Sequence, residues 1–250
     1  MTENNIDEKI KKEESTEIKE ETTEVANEGM TRAKFAHEMF DWIKTMVLAV
    51  VVATLLTRFV VVNAVVPTGS MENTIKPGDR IFGLRTSYLT GSPERGDVIV
   101  FKYPVNELMK EKLEEAGMED YAKENDVSTV NYVKRVIGLP GEKIEIKRAK
   151  VYVDGSETPL YEPYLKERWV EENDGYVFVV PEGKYFVMGD NRNDSADGRY
   201  WAGEAIELAD DAGISLTERE LFDVSFVDED DILGKATFKY WPITDASMLK

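Results

Sequence analysis

Cysteine is absent from all 250 residues, and histidine occurs once, as His37. Without thiols there is no disulfide framework, no thiolate zinc site and no cysteine nucleophile. His37 precedes a long apolar segment, whereas every motif described below follows that segment. With the segment across a bilayer, a Ser-His-Asp triad or a histidine-ligated metal in the main domain is excluded by geometry. Any nucleophile therefore needs another base. Positive charge is also scarce: 31 Lys and Arg stand against 49 Asp and Glu, a net charge of -18. Such a chain repels nucleic-acid phosphates, so no nucleic-acid partner is expected. No P-loop, dinucleotide fingerprint or metal-ligand spacing is present, and no cofactor is expected.

What is present divides along the chain. Residues 1–29 carry ten acids and four lysines among few aliphatic residues and no aromatics, a composition that predicts a disordered acidic tail. A juxtamembrane segment, residues 30–44, leads into TMVLAVVVATLLTRFVVVNAVV at 45–66. As a helix that run measures about 33 Å, enough for a hydrocarbon core of about 30 Å, and predicts one transmembrane span. Arg58 lies near one end, where its guanidinium can snorkel to the headgroups. A long acidic leader is unlike the short basic start of a cleaved signal peptide, so the span reads as a retained anchor in contact with the lipid bilayer. Arg32, Lys34 and Lys44 before it are matched by Lys76, Arg80 and Arg85 after it, and charge counting leaves the orientation tied.

From residue 67 to 250 the signal is β. Segments 79–86, 97–103 and 129–138 are rich in β-branched and aromatic residues between turn signals, and KIEIKR, KVYVDG, YVFVV, KYFVM and KATFKYW continue the pattern, with alternation clearest in Ile144, Ile146, Val151 and Val153 and a turn signal at Asp154-Gly155. The expected fold class is mainly β, an antiparallel domain preceded by one transmembrane helix. Two stretches break the rhythm: 105–125 reads as helical, and 202–231 holds eleven acids and one basic residue, Arg219. Both read as insertions on the β scaffold, the second as a solvated surface excursion.

Three short motifs hold residues with chemistry to offer. PTGSM at 67–71 puts Ser70 just beyond the span, where it reads alone as a polar linker or as a nucleophile. NYVKRVIGLPGE at 131–142 sets Lys134 and Arg135 in an otherwise apolar strand, where neighbours point to opposite faces. Two solvated bases on an edge strand is one reading. The other is an inward lysine whose pKa falls from about 10.4 to near 7 or 8 by burial, as a general base requires. GDNRNDSADGRYW at 189–201 is a tightly hydrogen-bonded loop in which Asp197 and Arg199 are placed to pair and Ser195 to bond near an active lysine.

Taken in order, PTGSM, GDVIVFKYP at 96–104, NYVKRVIGLPGE and GDNRNDSADGRYW resemble the boxes of bacterial type I signal peptidases across residues 40–242. The resemblance implies Ser70 as nucleophile and Lys134 as general base, a Ser/Lys dyad of a serine endopeptidase. It implies an oxyanion hole from the Ser70 amide and the Thr68 hydroxyl, Ser195 as the group that orients the lysine, and Asp197 with Arg199 as a supporting ion pair. The implied fold is an extended antiparallel β domain with a smaller inserted cap on the outer face of the membrane, the N-terminus being cytoplasmic. The implied partners are secretory preproteins, cut after small residues in an A-x-A pattern, together with the secretion translocon. Asn73 stands where the family often has Pro, Ala202 where a Gly is frequent, and 202–231 is longer than the usual connection. Other readings stay open: a pilin-maturing peptidase or self-cleaving repressor of similar core, and a catalytically silent tethered β module that binds exported chains.

Overall fold

The computed structural model describes residues 34–89, 91–170 and 175–249. The expected acidic tail, residues 1–29, lies outside them. The chain divides into two units, residues 1–55 and 56–250.

The described part of the first unit is helical. Helix α1 runs from Lys34 to Phe59 over 26 residues, about 39 Å, and is long and apolar enough to cross a membrane. It starts within the expected juxtamembrane segment and stops short of the expected end of the span. Val61–Val65 is instead strand β1. The run after Arg58 is almost all β-branched, and a strand partner is available: Val61 pairs with Leu84 and Val65 with Arg80. The expected helix over 45–66 is thus corrected at its C-terminal end.

The second unit is built on an antiparallel sheet. Besides β1, its strands are β2 (Arg80–Leu84), β3 (Val98–Lys102), β4 (Asn131–Gly138), β8 (Lys184–Met188), β9 (Val227–Asp228), β10 (Ile232–Trp241) and β11 (Ser247–Met248), in the order β1-β2-β10-β3-β4-β8-β9 with β11 on β10. A smaller sheet, β6-β5-β7, comprises β5 (Lys143–Ile146), β6 (Val151–Val153) and β7 (Val177–Val179). Asp154 and Gly155, both at positive φ, follow β6 as their turn signal predicted.

Both irregular stretches are helical and only half solvated. Residues 105–125 form α2 (Pro104–Glu115) and α3 (Glu119–Glu124); 202–231 holds α4 (Trp201–Ala212) and α5 (Glu218–Asp223) before β9. Val105, Met109 and Leu113 line one face of α2, and Trp201, Ala205 and Ala209 one face of α4, at the three- and four-residue spacings that share a helix face. Most of these side chains join Ile99, Phe101, Val136, Tyr185 and Val187 of the sheet in one core. Residues 202–231 are therefore not a solvated excursion: their acids cover one side of an element whose other side completes the core.

Candidate active site

The segment after β1 is pinned before it reaches Ser70. Val66 exchanges backbone bonds with Asp79 and Gly78, and the buried Met71 and Ile75 sink into a core with Val62, Ile81, Val98 and Val100. Between these anchors the chain makes tight turns, Glu72 N–H bonding Gly69 O at 3.0 Å and Ile75 N–H bonding Met71 O at 2.8 Å. Asn73 sits at φ 95° and donates from Nδ2 to Tyr164 O at 3.1 Å. Proline, fixed near φ −65°, cannot adopt that conformation.

Strand β4 lies between β3 and β8 rather than at an edge, and it buries both its bases: Lys134 is 4% exposed and Arg135 2%. The reading of two solvated bases on an edge strand is therefore corrected. On one face, Lys134 Nζ hydrogen-bonds Ser70 Oγ at 2.8 Å, and Nζ stands 5.1 Å from the centre of the Tyr132 ring. Thr68 Oγ1 is 3.4 Å from Ser70 Oγ. Burial lowers the Lys134 ammonium to about 8; the charges of Asp197, Glu204 and Asp190 pull it up, and Arg199 pushes it down. Desolvation wins because charging an amine out of contact with water costs more than these partners return. A neutral amine held at this distance from a hydroxyl can take its proton.

The loop after β8 supplies the surrounding charges. Arg199 donates from Nε to Asp197 Oδ1 at 2.8 Å and from Nη2 to Oδ2 at 2.9 Å, a bidentate pair with both side chains fully buried. Gly189 N–H adds a bond to Asp197 Oδ2 at 2.9 Å. Burial would raise the Asp197 carboxyl, but the Arg199 charge and these bonds hold it below the usual range. Ser195 is buried in the same loop, and its Oγ has no hydrogen-bond partner among the described residues, Lys134 included. Gly189 separates it from the Ser70 turn so closely that a Cβ there would overlap both Ser195 Oγ and Ser70 O.

Three features were not read from the sequence. On the opposite face of β4, Arg135 forms a second buried bidentate pair with Asp190, at 2.8 and 2.7 Å, and donates to Gly96 O at 2.6 Å. Thr74 donates to the same carboxylate, tying the segment after Ser70 to the Arg135–Asp190 pair. Asn191 bonds the Gly69 and Ser70 carbonyls. These residues lie inside or beside the quoted motifs, but adjacency along the chain says nothing about a partner across the fold.

The family model described as "Signal peptidase, peptidase S26" matches residues 39–241. Signal peptidase IB of Staphylococcus aureus strain Mu50 is 30% identical over 224 residues, which cover 83% of this chain and 92% of that protein. A probable signal peptidase I-2 of Synechocystis is 30% identical over 209 residues, covering 82% and 75%. A crystal structure of a signal peptidase I from Enterococcus faecalis V583 is 28% identical and overlaps 58% of this chain and 96% of its own, with a TM-score of 0.34. With most of its length inside that family model, the chain belongs to the signal peptidase family, peptidase S26, and is a serine endopeptidase.

Proposed function

We propose that this chain removes the signal peptides of exported preproteins with Ser70 as nucleophile and Lys134 as general base. The observation that carries the reading is the 2.8 Å contact between Lys134 Nζ and Ser70 Oγ in a site whose burial lowers the amine to about 8. Neutral Lys134 takes the Ser70 proton as Oγ bonds to the scissile carbonyl carbon. The tetrahedral oxyanion meets the Ser70 backbone N–H, which no described residue accepts, and the Thr68 hydroxyl beside it. Collapse breaks the C–N bond, and the Lys134 ammonium protonates the departing amine. Lys134 then deprotonates a water, whose oxygen attacks the acyl carbon; the C–Oγ bond breaks, and the Lys134 ammonium returns its proton to Ser70 Oγ.

Substrate fits as an extended strand. β8 pairs with β4 only from Arg135 onward, so the flank of Tyr132–Lys134 is without a strand partner among the described residues. A peptide laid there gains backbone hydrogen bonds beside the nucleophile. We assign it small residues before the cut, an anchor in α1 with a cytoplasmic N-terminus, a catalytic domain on the outer face, and preprotein delivery by the translocon. Tethering enzyme and substrate to one bilayer raises their effective concentration.

The test is cleavage of a preprotein with an A-x-A site by the detergent-solubilised full chain, alongside Ser70→Ala and Lys134→Met. Cutting by wild type and loss in both folded variants is the expected result. Variants that cut like wild type sink the dyad. A folded wild type that never cuts makes the chain a tethered binding module.

A further inference from the structure

Between β6 and β7 the chain leaves the small sheet, and residues 161–170, YEPYLKERWV, cross the active-site loops as a strap without regular structure. Its backbone touches both sides of the site: Tyr164 O accepts from Asn73 Nδ2 at 3.1 Å, three residues from Ser70, and Lys166 N–H donates to Asp190 O at 3.2 Å. Its aromatic side chains meet arginines. Tyr164 lies 4.1 Å below the Arg135 guanidinium. Trp169, 3% exposed, has both Arg192 and Arg199 guanidiniums at 5.2 Å from its ring. Glu162 closes the set with a bidentate pair to Arg192, both side chains buried.

These arginines hold the site together. Arg192 donates from Nε to Gly189 O at 3.0 Å, Arg199 carries the Asp197 pair and bonds Arg192 O at 3.0 Å, and Arg135 carries the Asp190 pair. We propose that the strap is the positioning element of the active site, with Trp169 and Tyr164 fixing the Arg199, Arg192 and Arg135 guanidiniums by stacking and thereby holding Asp197 against Gly189 and Asp190 against Thr74. This rests on the Ser/Lys reading above. A buried guanidinium whose N–H groups are already spent on carboxylates and carbonyls has only its flat face left to satisfy. An aromatic ring attracts that face electrostatically where an aliphatic side chain only fills volume. The charges of Asp197, Glu204, Arg199 and Asp190 act on Lys134, beside the Tyr132 ring and the Ser70 hydroxyl that touch it. The strap bears directly on Arg199 through Trp169, and on Asp190 through Lys166 and Arg135. A loosened Arg199 leaves Asp197 less neutralised, which favours the charged form of Lys134 and removes base at neutral pH.

The experiment compares Trp169→Leu and Trp169→Phe in the detergent-solubilised full chain. Preprotein cleavage is followed against pH, Lys134 is titrated directly by NMR of 13C-labelled lysine with its resonance assigned from Lys134→Met, and melting is recorded. Trp169→Leu is expected to lower kcat roughly tenfold, the order expected when its buried cation–π contact with Arg199 is lost, with KM little changed. Its acidic limb and the Lys134 titration both move to higher pH, and Trp169→Phe recovers most of the loss. A Leu variant that melts lower but leaves the Lys134 titration in place makes the strap mere packing and overturns the proposal, as does a Phe variant no better than Leu. If Trp169→Leu does not fold, Tyr164→Leu against Tyr164→Phe asks the same question through Arg135 and Asp190. The NMR titration needs no cleavage, so failure of the dyad appears separately, as a Lys134→Met variant that still cuts.

Discussion

Asn191 holds Ser70 from behind: its backbone N–H donates to the Ser70 carbonyl at 3.0 Å while its side-chain Nδ2 donates to the Gly69 carbonyl at 3.0 Å. Two successive carbonyls of the nucleophile turn are thereby captured by one residue that is 1% exposed. Asn191→Ala removes the side-chain bond and leaves the Gly69 carbonyl without it. A stability loss of about 1 kcal/mol in melting and a fall in kcat of about ten- to a hundredfold are expected. Asn191→Asp sets a carboxylate against that carbonyl and is expected to be worse than alanine in the same assay.

Gly189 separates two groups that the site needs close. A methyl there would overlap the Ser195 hydroxyl and the Ser70 carbonyl, so Gly189→Ala is expected to cut cleavage at least about a hundredfold by displacing the nucleophile. Adding Ser195→Gly relieves the side-chain clash but not the one with the Ser70 backbone. The double variant should therefore recover little activity, which preprotein cleavage under single-turnover conditions would check.

With neutral Lys134 as the proposed base, activity should rise with pH and level off above the lysine's value of about 8. Lys134→Arg keeps the charge and loses the reaction at every pH, because guanidinium does not deprotonate in that range. A kcat/KM profile flat from pH 6 to pH 9 would contradict the assignment.

The same lysine costs stability. Unfolded, it titrates near 10.5 and, folded, near 8. Between those values the unfolded chain binds more protons, so stability rises with pH across the window and carries the full cost below pH 8. That cost is about 3 kcal/mol, against about 1 kcal/mol from the Ser70 hydrogen bond. Lys134→Met is expected to melt higher than wild type at neutral pH, by about 2 kcal/mol net, with the advantage fading towards pH 10.5. Denaturant unfolding at two pH values would test the sign.

Ser195 has a buried hydroxyl with no partner among the described residues. Ser195→Ala should leave melting unchanged within about 1 kcal/mol, since no bond is lost. If the hydroxyl aligns Lys134 once substrate is bound, kcat drops without a stability change, and equal kcat in the two proteins would remove Ser195 from the machinery.

Much of this protein was legible in one dimension because the physics is local. The missing thiols, the lone His37, the apolar run, the period-two strands and the turn at Asp154 and Gly155 follow from side-chain chemistry and backbone preference over a few residues. Ser70, Lys134, Asp197 and Arg199 were legible as ordered motifs. Tertiary structure decided what depends on a partner far along the chain. Whether the β-branched residues after Arg58 extend a helix or form β1 depended on β2 being there to pair with Val61–Val65. Whether Lys134 is a solvated base or a depressed one depended on the Ser70 turn and the loop after β8 closing over it. The Arg135–Asp190 pair, the hold of Asn191 on Ser70 and the strap of Tyr164 and Trp169 have no local signature at all. Each residue is unremarkable in its own segment, and its role comes from a neighbour that only the closed fold brings within hydrogen-bond or stacking distance.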